Sequence, residues 1–256
     1  MNTHLLIIDP QNDFCDIPGA ALPVSGAHDD MGRLARFMEG HRSKIDAISV
    51  TLDSHPSVAV ERTTFWTTAA GETVAPFTFI TGADLSAGRY VPRDPVYTTS
   101  VLHMLEKLAA QGRPGLVVWP VHCVTGTWGH NIHDAVSAQL QSWEFAHQRP
   151  ARKALKGEYP LSEHFGAFEA DAPAEGVPST QFNTALATLV TQGVDVLLLA
   201  GEASSHCVAC LLVTLAGVTL TMLLPLTNTV AALTVLFNST AAASANLSGL
   251  RVLSWI

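Results

Sequence analysis

Short, fully apolar runs alternate along this chain with stretches whose apolar residues recur at helical spacing. HLLIID (4–9) predicts a buried strand, GAHDDMGRLARFMEG a helix, and IDAISVTLD (45–53) a second strand. A long loop rich in Pro, Gly and Thr is expected over 54–98. SVLHMLEKLAAQG predicts a helix with Gly112 near its C-cap, GLVVWP a third strand, and HNIHDAVSAQLQSWEF a helix. A weaker strand is expected between 146 and 154. STQFNTALATLVTQG predicts a helix capped by Ser179 or Thr180 and stopped by Gly193. VDVLLLAG (194–201) is the clearest strand of all. A helix at 206–216, a strand at 218–225, a helix near 231–246 and a last strand, LRVLSWI, follow.

Repeated strand–helix–strand order with apolar strands predicts an α/β fold: one doubly wound, mostly parallel sheet with helices on both faces. No repeat or linker divides the chain, so a single domain over 1–256 is expected. In such sheets ligands bind beyond the carboxyl ends of the strands. Those ends carry reactive side chains here. Asp9, Gln11, Asp13 and Phe14 follow the first strand, and Asp53 and His55 the second. His122 and Cys123 follow the third, Lys156 the weak one, and Cys207 the clearest.

Composition narrows the function. The chain has 256 residues, 48% hydrophobic and 14% charged, with a net charge of −8 and no cluster of Lys or Arg. A nucleic-acid groove or a patch for anionic membranes is not expected. The start, MNTHLLIIDPQNDF, has no basic region and only a short apolar run, so a cytoplasmic location is the expectation. The four cysteines are then thiols.

One segment departs from this pattern. After Glu202 no Asp, Glu, Lys or Arg appears until Arg251. Val208 to Leu226 is long enough to span a bilayer, but Gly217, Pro225 and the threonines at 214, 219 and 221 argue for a buried helix and strand. A charge-free surface helix near 231–246 would leave an apolar patch, and a homo-oligomer interface is expected there.

Cys207 opens a helix behind a small-residue turn, where backbone N–H groups favour a thiolate and a developing oxyanion. Asp9 on the same rim can take the thiol proton, and Lys156 can hold both charges in place. Asp53, His55 and His122 are metal-ligand types, and three ligands leave open positions, as a catalytic site requires. Cys207 and Cys210 match half a zinc site or a redox pair, but no second such pair exists, and Cys210 is expected to pack inward. Phe14 and Trp119 can wall a slot for a flat ring.

These blocks together resemble the isochorismatase-like cysteine hydrolases, and within them the nicotinamidases. LLIIDPQNDFCDIPGAALPVSGA, TLDSHP, WPVHCVTGTWG, KG followed by GAF, and AGEASSHCV match the family's blocks in order over about residues 4 to 210. The resemblance implies a catalytic triad of Asp9, Lys156 and Cys207, with an oxyanion hole at the N–H groups of Ala203 and Cys207. It also implies a cis bond between Glu202 and Ala203. A divalent metal, zinc first and iron or manganese as alternatives, would sit on Asp53, His55 and His122. Glu61 stands where many nicotinamidases have a further histidine and is an additional candidate ligand. Phe14, Gln11 and Trp119 would bind the substrate.

The activity implied is hydrolysis of nicotinamide to nicotinate and ammonia through a Cys207 thioester. The alternatives are a metal-free amidase acting on a carbamoyl, ureido or maleamate-type amide, and a non-catalytic scaffold of the same fold.

Overall fold

The computed structural model describes residues 1–113, 115–203, 206–212, 214 and 232–235. Its centre is a five-stranded sheet in the order β7–β2–β1–β8–β9. These strands are β1 (Thr3–Ile8), β2 (Ala47–Asp53), β7 (Arg152–Lys156), β8 (Val196–Gly201) and β9 (Ala232–Val235), and every pairing is parallel. Alternation along β1 explains why its sequence is apolar throughout. Leu5 and Ile7 join one core, with Met31, Leu34 and Met38 of α1 (Ala27–His41) and Val136, Leu140 and Trp143 of α4 (Asp134–His147). Leu6 and Ile8 join a second core on the opposite face, with Leu186 and Val190 of α5 (Thr184–Thr191), Phe168 and Leu211. A strand covered on both faces has no polar side to display.

The 54–98 segment is folded, contrary to the loop expected. It contains β3 (Trp66–Thr68), β4 (Phe79–Thr81), α2 (Gly82–Ser86) and β5 (Tyr90–Pro92). Val60, Phe65, Trp66, Val74, Ile80 and Leu85 pack with Val101, Met104, Leu105 and Leu108 of α3 (Thr98–Ala110) into a third core. Its strands are three residues each, too short to announce themselves by periodicity.

The third expected strand is real but stands outside the central sheet. β6 (Gly115–Val117) pairs antiparallel with β4. Gly115 permits this pairing, because a Cβ there would lie 2.5 Å from the Ile80 carbonyl oxygen. The weak strand falls later than expected: α4 runs to His147, Gln148 ends it at φ +51°, and β7 begins at Arg152. β7 is an edge strand with Arg152 and Lys153 exposed, which masks its signal.

The cap of α5 is Asn183, whose side chain accepts from Leu186 N, rather than Ser179 or Thr180. Those two residues lie in a short 3-10 turn that ends at Thr180. Residues 232–235 of the expected 231–246 helix form β9 instead, alongside β8. Pairing there satisfies a strand edge that a helix would leave open. The expected strands at 218–225 and at LRVLSWI lie outside the described residues, as does most of Val208 to Leu226. Among the described residues, no helix is long and apolar enough to cross a membrane.

Candidate active site

Strand register assembles the site. Ile8 is level with Thr51 on one side and Gly201 on the other, and Asp53 is level with Lys156. Asp9, Asp53, Lys156 and Cys207 therefore meet at one end of the sheet. Lys156 Nζ lies 3.1 Å from Asp9 Oδ2, 2.8 Å from Asp53 Oδ1 and 3.6 Å from Cys207 Sγ. Thr51, which no motif signalled, donates its hydroxyl to Asp9 Oδ1 at 2.7 Å. The bond between Glu202 and Ala203 is cis, as the resemblance implies, and residues 207–212 are helical.

All of these groups are buried, and burial sets their electrostatics. Burial raises the Cys207 thiol well above its ordinary range, with Lys156 opposing and the neighbouring carboxylates adding to the rise. Asp9 is likewise raised by burial, against the pull of Lys156. Burial works against the Lys156 charge, but Asp53 and Asp9 outweigh it and hold the ammonium well above its usual range. The resting arrangement is a thiol and a carboxylate held beside one fixed cation.

His122 arrives by a different route from a sheet strand. His55 N donates to Cys123 O at 3.1 Å, Thr125 N to His55 O at 3.1 Å, and Cys123 N to Asp13 Oδ2 at 2.6 Å. These bonds pin the 118–133 loop against the end of β2. His55 Nε2 then lies 2.8 Å from Asp53 Oδ1, and His122 Nε2 lies 3.3 Å from Asp53 Oδ2. Gly157 makes room for His55: at φ +85°, a Cβ on it would sit 2.4 Å from His55 Cε1.

One carboxylate and two imidazoles converging in this way suit a divalent ion of the zinc, iron or manganese kind. Asp53 and His122 also have Cys123 within reach, the three offering ligand atoms within 4.8 Å of one another. Burial and the nearby carboxylates hold the Cys123 thiol well above its usual range.

Two expected roles change. Glu61 Oε1 lies 2.9 Å from His55 Nδ1, on the far side of the ring from Asp53, and at an angle short of a hydrogen bond. It would stand behind His55, rather than beside it, if the Nε2 of that ring held an ion. Gln11 does not line the chamber. Its amide donates to Asp53 O at 2.8 Å and to His130 O at 3.0 Å, and accepts from Asp53 N at 2.7 Å. It fixes the end of β2 and has nothing left for a substrate.

Above Lys156 and Cys207 is a chamber of about 190 Å³ with mostly apolar walls. Phe14, Asp53, His55, Trp119, His122, Lys156, Ala203 and Cys207 line it, as the sequence led one to expect. Arg62, Glu163, His164, Phe165 and His206 line it too, without having been singled out. Glu163 and His164 follow Lys156 at seven and eight residues and precede GAF, the one signal that pointed to them. Trp119 stands nearly perpendicular to both Phe165 and His206, and its Nε1 donates to Glu163 Oε2 at 3.0 Å. Phe14 meets His122 edge-on at 5.3 Å.

No protein-family model and no curated protein matches the sequence. Solved structures do match. The yeast nicotinamidase Pnc1p is 22% identical, with 84% of this chain and 82% of that one covered at a TM-score of 0.56. An Acinetobacter baumanii nicotinamidase/pyrazinamidase is 19% identical, covering 84% and 78% at the same TM-score of 0.56. The nicotinamidase PncA of Bacillus subtilis is 15% identical, covering 97% and 90% at 0.50. The chain is thus an α/β protein with the nicotinamidase-like fold of these structures.

Proposed function

We propose that this chain is a cysteine amidohydrolase of the nicotinamidase type, converting nicotinamide to nicotinate and ammonia. The observation that carries the proposal is the single ammonium of Lys156 placed against both Asp9 and Cys207 at the floor of a small aromatic chamber.

The substrate ring lies between Phe14 and Trp119, with its amide over Cys207. Asp9 takes the thiol proton as sulfur attacks the carbonyl carbon. The N–H groups of Ala203 and Cys207 hold the oxyanion. Lys156 stays charged throughout and offsets the negative charge passing between sulfur and carboxylate. Asp9 returns the proton to the amide nitrogen, and ammonia leaves a thioester. Water then gives a proton to Asp9 as its oxygen attacks the thioester. The acid is released and the proton goes back to sulfur. A divalent ion held by Asp53, His55 and His122 would supply a Lewis acid that anchors the ring nitrogen, directly or through water.

Ammonia release from nicotinamide, pyrazinamide, carbamoyl amines and maleamate, with and without chelator, tests the proposal. Turnover of nicotinamide by the unmodified protein and its loss in Cys207→Ala are the expected results. A fully active Cys207→Ala protein would overturn it.

A second reading is favoured by Arg62. Its Nη1 lies 2.6 Å from His122 Nδ1 and 3.2 Å from His122 Nε2, placing a fully buried cation beside the ring that would ligate a metal. In that reading the protein is a metal-free amidase whose substrate carries a carboxylate or carbamoyl group. Full activity after chelation, with maleamate preferred over nicotinamide, would establish it.

A further inference from the structure

The backbone of Trp119 is fixed on both sides. Its N–H donates to Glu61 O at 2.7 Å, and its carbonyl accepts from Thr63 N at 3.3 Å. What remains free is the turning of the indole about its own side-chain bonds, the last of which has broad, roughly two-fold wells. Phe77, Phe165 and His206 stand nearly perpendicular to the indole, with centroids 5.9, 6.2 and 5.5 Å away. Edge-to-face contacts of this kind are individually weak. A hydrogen bond is more directional, and Nε1 donates one to Glu163 Oε2 at 3.0 Å. Turning the ring over would carry the N–H away from that oxygen.

The acceptor is as firmly held as the ring. Glu163 is buried and lines the chamber. Its other oxygen, Oε1, accepts from His164 N at 3.0 Å, and its carbonyl accepts from Asp171 N at 2.8 Å. Both side-chain oxygens can accept whether or not the group carries a proton. Burying an acid here is costly, and the chemistry proposed above gives it no proton to move.

We propose that Glu163 is a positioning residue: by accepting the indole N–H it holds Trp119 in one orientation, and so sets the wall against which the substrate ring packs. The proposal rests on the amidohydrolase reading above, and Glu163 acts through Trp119 rather than on the amide.

Ammonia release by the unmodified protein tests the amidohydrolase reading alone. The indole N–H resonance of Trp119, assigned by its loss in Trp119→Phe, tests the contact without any substrate. We expect Glu163→Met, which has no comparable acceptor, to move that resonance upfield and speed its hydrogen exchange. Glu163→Gln keeps one acceptor oxygen and is expected to move it less. Glu163→Met is expected to raise KM for nicotinamide about tenfold, with a much smaller change in kcat, and Glu163→Gln to recover part of that loss. Added to Trp119→Phe, Glu163→Met is expected to change KM little further, because the two residues act as one unit.

Melting temperatures are measured alongside. An unmoved indole resonance or an unchanged KM in a folded Glu163→Met protein would overturn the inference. So would a KM increase as large in the Trp119→Phe background as in the unmodified one. Should Glu163→Met not fold, Glu163→Gln decides, and an unmoved resonance there overturns the inference equally.

Discussion

Lys156 Nζ stands between two buried carboxylates, 3.1 Å from Asp9 Oδ2 and 2.8 Å from Asp53 Oδ1. One ammonium thereby joins the carboxylate beside Cys207 to the carboxylate of the histidine cluster. Register causes this: β7 pairs with β2 so that Lys156 is level with Asp53, and the long side chain reaches across to Asp9.

Lys156→Met is expected to cost both stability and activity. Removing one partner of a buried ion pair typically costs about 3–5 kcal/mol, and two carboxylates depend on this one. Urea unfolding and ammonia release measure the two effects. A variant of unchanged stability would mean the carboxylates are solvated or protonated in the folded protein.

Cys207→Ala is expected to lower turnover by on the order of 10³-fold or more, since the nucleophile has no substitute in the chamber. Because burial keeps the free thiol protonated, alkylation of Cys207 by iodoacetamide should accelerate as pH rises above neutrality. Peptide mapping of the alkylated protein reads this directly. A rate that is flat with pH would show the thiolate already present at rest.

Glu61→Gln is expected to weaken metal binding about 10- to 100-fold, as loss of a carboxylate behind a ligating histidine commonly does. Titration of the chelator-treated protein with zinc, followed by calorimetry, measures it. Asp53→Asn and His122→Ala should lose binding more completely, and equal affinity in all three variants would exclude this centre.

Stability should fall as pH rises from about 6.5 to 8, above the range in which the depressed His4 and His164 favour the folded state. Burial, then Asp30, lifts the Glu202 carboxyl to about 8, and burial with Glu61 and Asp171 lifts Glu163 to about 8. A folded pKa above the unfolded one means the native state holds more protons in that window. The slope of unfolding free energy with pH is then negative, and the loss is complete near the folded pKa. Glu202→Gln should flatten the slope, with a gain on the order of 1–3 kcal/mol at pH 8. Urea titrations at several pH values decide it; an equal slope in the variant would place the effect elsewhere.

Gly157→Ala is expected to disable the site without unfolding the protein. The φ of +85° and the 2.4 Å approach to His55 both exclude a Cβ, so His55 must move. Metal titration and circular dichroism separate the two effects.

The sequence by itself determined the sheet strands β1, β2 and β8, the helices α1, α3 and α4, and most of the rim. These elements are long, strongly patterned and buried, so periodicity reports them faithfully. Asp9, Asp53, His55, Lys156 and Cys207 were legible because a parallel sheet brings strand ends together. Only the tertiary structure decided that β6 belongs with β4, that 54–98 folds around its own core, and that His122 is carried by a pinned loop. Only it moved Glu61 behind His55, turned Gln11 toward the backbone of Asp53, and brought Thr51, Arg62, Glu163 and His164 to the site. Those outcomes depend on register and on where a side chain's hydrogen bonds are satisfied. Such relations lie between residues far apart in the chain, and one-dimensional patterning does not carry them.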